Sequence, residues 1–312
     1  MTTHDSGFGQ ENMSGRCSRR SALRASAAGV STAALGAAGF RAVQAQEATP
    51  VAPVVAAGEF SGLVDIDGRN MYLECQGEGE PTVILLTGYR TSGRYWTDDL
   101  LQPDNPRQMV MPGVAKATRV CTYDRPGTYA EVRGEIVPSR SDEISQPRTS
   151  MEVIEELHAL LQVAEIPGPY ILAAHSLGGF FARLYAATYP DEVVGLVLVD
   201  AFSEFLESVL PPDKFEALKK LNQAGGTDTV FEMEGYGEVE TVPWGGDNEV
   251  MREAVTATPL PPMPLAVLAH GKPFALPDGY TDLTSEEMEG YLLATNEKQA
   301  TLVPNARFWV AS

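Results

Sequence analysis

The sequence predicts an α/β fold in which helices cover both faces of a mostly parallel sheet. The first observation behind this prediction is a series of continuous apolar runs, such as residues 81–88, that end in glycine or in a charged loop. Such runs are typical of strands that are buried on both faces. The second observation is that segments with helical apolar spacing alternate with these strands after Thr149. In sheets of this type, catalytic groups lie in loops at the carboxyl ends of the strands.

The first part of the domain is predicted to consist mainly of strands. Residues 60–66 and 70–75 flank the dipeptide Asp67-Gly68, which favours a tight hairpin turn. Residues 81–88 form the first fully apolar run, and residues 118–127 repeat the pattern of a β-branched run followed by a charged, Pro/Gly-rich loop. We therefore expect a hairpin that leads into two buried strands.

The second part of the domain alternates helices with strands. Thr149 is a predicted N-cap with a glutamate three residues on, and apolar residues follow it at helical spacing. Beyond this helix we expect strands at residues 170–174, 193–200, 263–271 and 306–311, and helices at residues 177–188 and 285–303. Residues 201–262 interrupt the alternation with short helical segments between Gly- and Pro-rich turns, which indicates a helical cap inserted at the carboxyl edge of the sheet.

The first 45 residues have the composition of an export signal. Two adjacent arginines, Arg19 and Arg20, precede an apolar Ala/Gly-rich run, and residues 43–45 offer small side chains for cleavage. These features are typical of a twin-arginine signal, and a disordered Ala-rich leader is the alternative. We expect a periplasmic or extracellular protein with three parts: a signal at residues 1–45, a flexible tether at 46–58 and an α/β domain at 59–312.

The charge of the chain argues against several classes of partner. The sequence has 42 acidic and 23 basic residues, for a net charge of −19. A surface with this much negative charge repels nucleic-acid phosphates and anionic lipids. We therefore expect neither nucleic-acid binding nor membrane binding after signal cleavage. The sequence shows no spacing typical of a metal site, and we expect no metal and no cofactor. The expected partner is a small-molecule substrate, and the sequence does not determine the oligomeric state.

Ser176 is the candidate nucleophile. It lies in the stretch Ala174-His175-Ser176-Leu177-Gly178, between a predicted strand and a predicted helix. This stretch matches the G-x-S-x-G elbow with alanine in the first position, and a sharp turn of this kind requires small residues two before and two after the serine. A tight strand-to-helix junction without catalytic function is the alternative.

The oxyanion hole is expected to consist of two backbone N–H groups. Leu177 follows the candidate nucleophile and lies at the positive end of the next helix. Tyr89 lies in the loop after the strand at residues 81–88, where the second donor is expected. Because both donors belong to the backbone, their side chains neither support nor exclude this assignment.

From about residue 60 onward, the chain resembles the α/β-hydrolase fold superfamily. Besides the elbow, TYDRPG at residues 122–127 resembles the loop after the family's fourth strand, and YPDEVVGLVLVDA at residues 189–201 resembles the run through its sixth strand. The resemblance implies a serine hydrolase that needs no cofactor. The chain has Thr87-Gly88 where the family usually has His-Gly, a departure that keeps the backbone donor.

The resemblance also bears on Cys75 and Cys121, the two cysteines of the predicted mature domain. An exported protein can retain a disulfide between them, but two free thiols on strands are the alternative because the sequence gives no distance. The resemblance places the two cysteines on neighbouring strands, which favours the disulfide.

Two aspartates are candidates for the catalytic acid. Asp200 ends a predicted apolar strand at the catalytic edge, a position that some family members use. Most members carry the acid after the seventh strand, where Phe274 stands here and Asp278 and Asp282 are the nearest carboxylates. We prefer Asp200, because an ionised group in that place needs a partner, and keep Asp278 as the second choice. The alternative for Asp200 is a helix-capping or loop-tying role.

None of the four histidines is assigned as the catalytic base. His4 lies in the signal, His158 lies on a helix away from the apolar face, and His175 adjoins the nucleophile, where neighbouring side chains point apart. We expect His270, at the end of the seventh strand, to be a loop residue bonded to backbone or water, because the family's base does not come from there. The family's base follows the eighth strand, so the resemblance predicts a histidine beyond residue 312.

The leading hypothesis is an exported serine hydrolase that cleaves an ester-like bond, with Ser176 as nucleophile and Asp200 as the acid. Without the predicted histidine, we expect the chain to lose most of its hydrolytic activity. A noncatalytic binding protein of the same fold is the competing hypothesis, and cofactor-free perhydrolase chemistry would use the same residues. The identity of the substrate depends on the pocket under the cap, which the sequence does not determine.

Overall fold

The central feature of the molecule is a sheet of eight strands. The structure is a computed structural model, and it describes residues 58–224, 230–272, 276 and 282–311. The strands of the whole domain are β1 (Phe60–Asp65), β2 (Asn70–Gln76), β3 (Thr82–Leu86), β4 (Val120–Tyr123), β5 (Tyr129–Val132), β6 (Glu135–Pro138), β7 (Tyr170–His175), β8 (Val193–Val199), β9 (Leu265–Ala269) and β10 (Arg307–Val310). The eight-stranded sheet has the order β1-β2-β4-β3-β7-β8-β9-β10, and β5 pairs separately with β6. Strand β2 is antiparallel to both of its neighbours, β1 and β4, and all other neighbouring pairs in this sheet are parallel.

Helices connect these strands and cover the sheet. They are α1 (Arg94–Thr97), α2 (Val110–Val114), α3 (Ser150–Val163), α4 (Leu177–Thr188), α5 (Phe205–Val209), α6 (Pro212–Ala224), α7 (Trp244–Ala257) and α8 (Ser285–Gln299). Helices α5 to α7 lie between β8 and β9 in the chain, where the sequence predicts the cap. Within the described ranges, no helix combines the length and the apolar character that crossing a membrane requires.

The predicted fold class is confirmed: a mostly parallel sheet with helices between its strands, and a helical insertion before β9. The β5–β6 hairpin and the short helices α1 and α2 were not predicted. The hairpin strands have four residues each and are only partly buried, so they lack the apolar periodicity that marks the other strands. Helices of four and five residues are likewise too short to show a helical period.

The burial of β3, β4 and α4 explains why the sequence indicates this fold. Every residue of β3 and β4 is buried, as expected for central strands covered on both faces. Helix α4 is buried along residues 177–187, so it lies within the core and not on the surface. The candidate nucleophile immediately precedes this helix and is therefore anchored to the most buried part of the domain.

The two cysteines of the domain face each other across neighbouring strands. Cys75 in β2 is the direct register partner of Cys121 in β4, and their sulfur atoms are bonded. Both side chains are fully buried. The bond links the antiparallel edge of the sheet to its parallel centre.

Candidate active site

Ser176 occupies a sharp turn between β7 and α4. Its backbone has φ 52° and ψ −125°, a conformation that residues other than glycine rarely adopt. Its N–H donates to the Val199 carbonyl at 3.1 Å, and its own carbonyl accepts from the N–H groups of Gly179 and Phe202, both at 2.9 Å. These three hydrogen bonds hold the serine in the strained turn.

The residues around Ser176 are small because the carboxyl end of β3 approaches closely. A Cβ atom added to Gly178 would lie 2.5 Å from the carbonyl oxygen of Thr87. A Cβ atom added to Gly88 would lie 3.1 Å from the Cβ of Ser176, so residues 87–91, the candidate oxyanion loop, pack directly against the serine. Ala174, the third small residue of the elbow pattern, is fully buried. The elbow spacing therefore has a steric cause in this fold.

The two candidate oxyanion donors follow, in the chain, the two residues that make this contact, Ser176 and Gly88. Leu177 is the first residue of α4, so its N–H has no acceptor within the helix. Tyr89 follows Gly88 in the candidate oxyanion loop, and its N–H belongs to the same peptide unit as the Gly88 carbonyl. Burial raises the pKa of the Tyr89 phenol to about 12, so the side chain is neutral at pH 7.

A buried ion pair supports the candidate oxyanion loop. Arg125 Nε lies 2.5 Å from Glu240 Oε1, and neither side chain is more than 3% exposed. Arg125 Nη2 also donates to the Gly88 carbonyl at 2.6 Å, while Glu240 accepts the Arg90 N–H at 2.7 Å. Sequence reasoning assigned no role to either residue, because Arg125 follows β4 and Glu240 lies in the cap, 115 residues away.

Asp200 and His270 form a second pair, at the carboxyl ends of β8 and β9. One carboxylate oxygen of Asp200 accepts the backbone N–H and the Nδ1 of His270, each at 2.7 Å. The Asp200 N–H in turn donates to the Leu268 carbonyl at 2.8 Å. The expectation that His270 is a loop residue bonded to backbone or water does not describe the structure, because its ring binds a carboxylate.

Glu289 of α8 lies on the other side of the same imidazole. Its carboxylate is 2.8 Å from His270 Nε2, although the angles at the two atoms are not those of a hydrogen bond. Burial by itself lowers the pKa of His270, but the bond to Asp200 and the charges of Asp200 and Glu289 outweigh it, so the pKa is raised. The imidazole therefore lies between two carboxylates that favour its protonated form.

The other described histidines differ in their position relative to Ser176: His175 directly precedes it, and His158 lies in α3. Among the described residues, the Ser176 hydroxyl makes no hydrogen bond to a histidine. His175 keeps an exposed surface, yet its ring lies against the candidate oxyanion loop, where a Cβ added to Gly88 would be 3.2 Å from its Nδ1. Partial desolvation there lowers the pKa of the ring, and the charge of Asp200 opposes this effect. His158 pairs with Glu192 at 3.0 Å, and Glu192 directly precedes β8, at the opposite end of that strand from Asp200. Asp278, the second choice for the acid, lies outside the described residues, as does Phe274.

A small cleft adjoins the elbow. It is lined mainly by apolar side chains, those of Leu177, Phe180, Phe202 and Val242, and by the carboxylate of Asp247. Asp247 accepts the hydroxyl of Ser150 at 2.7 Å, and burial raises the pKa of its carboxyl group. In the part of the chain that the structure describes, no group of three or more His, Cys, Asp or Glu side chains is placed to hold a metal ion.

Comparison with known proteins places most of the chain in one family. Residues 83–311 match the model of the Alpha/beta hydrolase family. An uncharacterized protein of Schizosaccharomyces pombe is 32% identical over 165 residues, which are 47% of this chain and 29% of that relative. An uncharacterized protein of Bacillus subtilis is 26% identical over 136 residues, 43% of this chain and 46% of that relative. The chain thus spans less than half the length of these curated relatives.

Solved structures with a similar fold include several hydrolases. One, described as Est816, an N-acyl homoserine lactone degrading enzyme, is 17% identical, with 80% of this chain and 91% of that chain covered and a TM-score of 0.47. Another is a thioesterase domain from the curacin biosynthetic pathway, 15% identical, with 82% and 93% covered and a TM-score of 0.48. At these identities the likeness concerns the fold and not the substrate.

Proposed function

The chain belongs to the alpha/beta hydrolase family, and from this premise we propose that it is a serine hydrolase that cleaves an ester-like bond. The observation that carries the proposal is the backbone of Ser176, which is held at φ 52° by three hydrogen bonds while its Cβ packs against Gly88 of the candidate oxyanion loop. Backbone strain of this kind persists only where the surroundings enforce it, and it concentrates at functional sites.

In the proposed reaction, the Ser176 Oγ attacks the carbonyl carbon of the substrate, and the hydroxyl proton passes to a histidine. The N–H groups of Leu177 and Tyr89 stabilise the negative charge that develops on the carbonyl oxygen. The leaving alcohol departs with the proton from the histidine, and an acyl group remains on Ser176. Water then hydrolyses this acyl-serine by the same steps, which restores the free hydroxyl.

Asp200 is proposed to orient the histidine that acts as base. The bond from a histidine Nδ1 to a carboxylate fixes the ring tautomer in a catalytic triad, and His270 makes this bond to Asp200. The Nε2 of His270 lies against Glu289, and this ring makes no hydrogen bond to Ser176 among the described residues. A histidine beyond residue 312 therefore stays a prediction from the family resemblance, and His270 is the candidate within the described chain.

The test is covalent labelling by a fluorophosphonate together with hydrolysis of p-nitrophenyl acetate. Ser176→Ala should abolish both, while Ser208→Ala, which removes an exposed serine hydroxyl of α5, should leave both unchanged. Loss of labelling in His270→Gln would identify His270 as the base. Equal labelling of the wild type and Ser176→Ala would contradict the proposal.

A noncatalytic binding protein is the second candidate, and one observation favours it. The Ser176 hydroxyl lacks a histidine partner among the described residues, and removal of a triad member typically costs on the order of 10⁴-fold or more in rate. Binding of apolar esters without turnover or labelling would support this candidate. Perhydrolase chemistry would instead appear as peracid formation that depends on hydrogen peroxide and on Ser176.

Export by a twin-arginine signal at residues 1–45 is also proposed, and these residues lie outside the described part of the chain. Support comes from the adjacent pair Arg19 and Arg20 and the apolar run that follows. Replacement of both arginines by lysine should retain the protein in the cytoplasm, as cell fractionation would show. Unchanged export of this variant would contradict a twin-arginine route.

A further inference from the structure

We propose that Arg125 and Glu240 are positioning residues for the reaction: their buried ion pair orients the peptide unit that carries the Tyr89 N–H. This inference rests on the proposed function, in which that N–H is an oxyanion donor. Neither side chain touches the reacting atoms in the mechanism. Their effect is exerted through the candidate oxyanion loop, residues 87–91.

The first step of the argument is the contact between Arg125 and two successive carbonyls. Arg125 Nη1 donates to the Thr87 carbonyl at 3.1 Å, and Nη2 donates to the Gly88 carbonyl at 2.6 Å. The carbonyl of Gly88 and the N–H of Tyr89 belong to one planar trans peptide unit, so they point in opposite directions. The same carbonyl oxygen also accepts from the N–H and the hydroxyl of Thr91, at 3.3 and 2.9 Å, so the guanidinium and Thr91 together orient the Tyr89 N–H.

The second step is the position of that peptide unit relative to the candidate nucleophile. Gly88 packs against Ser176 so closely that an added Cβ would lie 3.1 Å from the serine Cβ. A small rotation of the unit would therefore displace the N–H from the place where the oxyanion forms. Catalysis by backbone donors depends on such prior orientation.

The third step is the contribution of Glu240. Its carboxylate accepts from Arg125 Nε at 2.5 Å and Nη2 at 3.1 Å, and from the Arg90 N–H at 2.7 Å. It thereby holds the loop just after Tyr89, while Arg125 holds the loop just before it. A guanidinium buried without a carboxylate would be strongly unfavourable, so Glu240 also keeps Arg125 in place.

Glu240 belongs to the cap, so the orientation of the Tyr89 peptide unit depends on how the cap packs against the domain. The Glu240 N–H donates to the Gly127 carbonyl at 2.9 Å, and the Gly127 N–H donates to the Tyr236 hydroxyl at 3.1 Å. Gly127 has φ +81°, and a Cβ there would collide with the backbone of Glu240. The cap segment that contains Glu240 is therefore hydrogen-bonded to the loop after β4 that contains Arg125.

The experiment compares Glu240→Gln with Glu238→Gln, a control two residues away whose carboxylate accepts the Gln146 N–H and does not contact the loop. In Glu240→Gln, amide hydrogen exchange in residues 87–91 should become about tenfold faster or more, with β8 unchanged. The kcat for p-nitrophenyl acetate should fall about 10- to 100-fold with KM within about twofold. Glu238→Gln should leave the exchange rate of residues 87–91, the kcat and the KM unchanged.

A double variant separates positioning from simple stabilisation. Replacement of a buried ion pair by apolar side chains often restores stability, so Arg125→Met/Glu240→Met should recover the urea midpoint but not the kcat. Recovery of both would overturn the proposal, as would unchanged exchange of residues 87–91 in Glu240→Gln. If neither the wild type nor Ser176→Ala reacts, the proposed function fails, and the exchange measurement still decides whether the pair orients the loop.

Discussion

The carboxylate of Asp200 binds His270 twice, at the backbone N–H and at the ring Nδ1, each at 2.7 Å. The two residues follow neighbouring parallel strands, β8 and β9, so their positions at one edge of the sheet result from the strand order. The second ring nitrogen faces Glu289. A histidine between two carboxylates has consequences for the pH dependence of folding.

The pair should make stability depend on the protonation of His270. Its pKa in the folded protein is raised above the ordinary value of 6.5, so its stabilising contribution is complete below pH 6.5 and is lost as pH rises through the folded-state pKa. His270→Gln should therefore destabilise the protein more at pH 5.5 than at pH 9, as measured by urea unfolding. In an Asp200→Asn/Glu289→Gln background only burial acts on the pKa of His270 and lowers it, so this difference should vanish or reverse. A larger effect at pH 9 would contradict the assigned direction.

The strain at Ser176 should be visible as a difference in stability between two inactive variants. Ser176 has φ 52°, which glycine adopts freely, so Ser176→Gly should be more stable than Ser176→Ala by about 1 kcal/mol. Both variants should be inactive. Chemical unfolding of the two proteins under one set of conditions gives the difference. Equal stability would show that the turn stores little strain.

The close approach behind the elbow should make Gly178 intolerant of a side chain. In Gly178→Ala the new Cβ would meet the backbone oxygen of Thr87 at 2.5 Å, and we expect a loss of about 1–3 kcal/mol with loss of labelling. Gly290 of α8 is the matched control, because nothing lies within 4 Å of its added Cβ. Gly290→Ala should stabilise by about 0.5–1 kcal/mol. Thermal unfolding of both variants tests the contrast.

The disulfide should contribute to stability by restricting the unfolded chain. Cys75 and Cys121 are 46 residues apart in sequence, and closure of a loop of this size contributes about 2–4 kcal/mol. The urea midpoint of the wild type should therefore fall when a phosphine reductant is present during unfolding. Cys75→Ala/Cys121→Ala should give a low midpoint that the reductant does not change. A wild-type midpoint independent of reductant would contradict the prediction.

Much of the fold could be predicted from the sequence because its signals are local. The apolar runs of β3 and β4, the capping box of Thr149 and the buried faces of α4 each lie within a few residues of one another. The short β5–β6 hairpin escaped prediction because its four-residue strands are too exposed to show an apolar pattern. The elbow around Ser176 was also a local signal, formed by five consecutive residues.

The sequence by itself determined the order of the strands of the main sheet and of its longer helices, the family resemblance and the candidate nucleophile. Only the tertiary structure decided which distant side chains meet: Asp200 with His270, 70 residues apart, and Arg125 with Glu240, 115 residues apart. The physical reason is that periodicity and turn chemistry act between neighbours along the chain. Contacts between side chains that are distant in sequence depend on the strand order of the sheet and on where the cap docks. The local sequence around a charged residue does not identify the residue that it will contact.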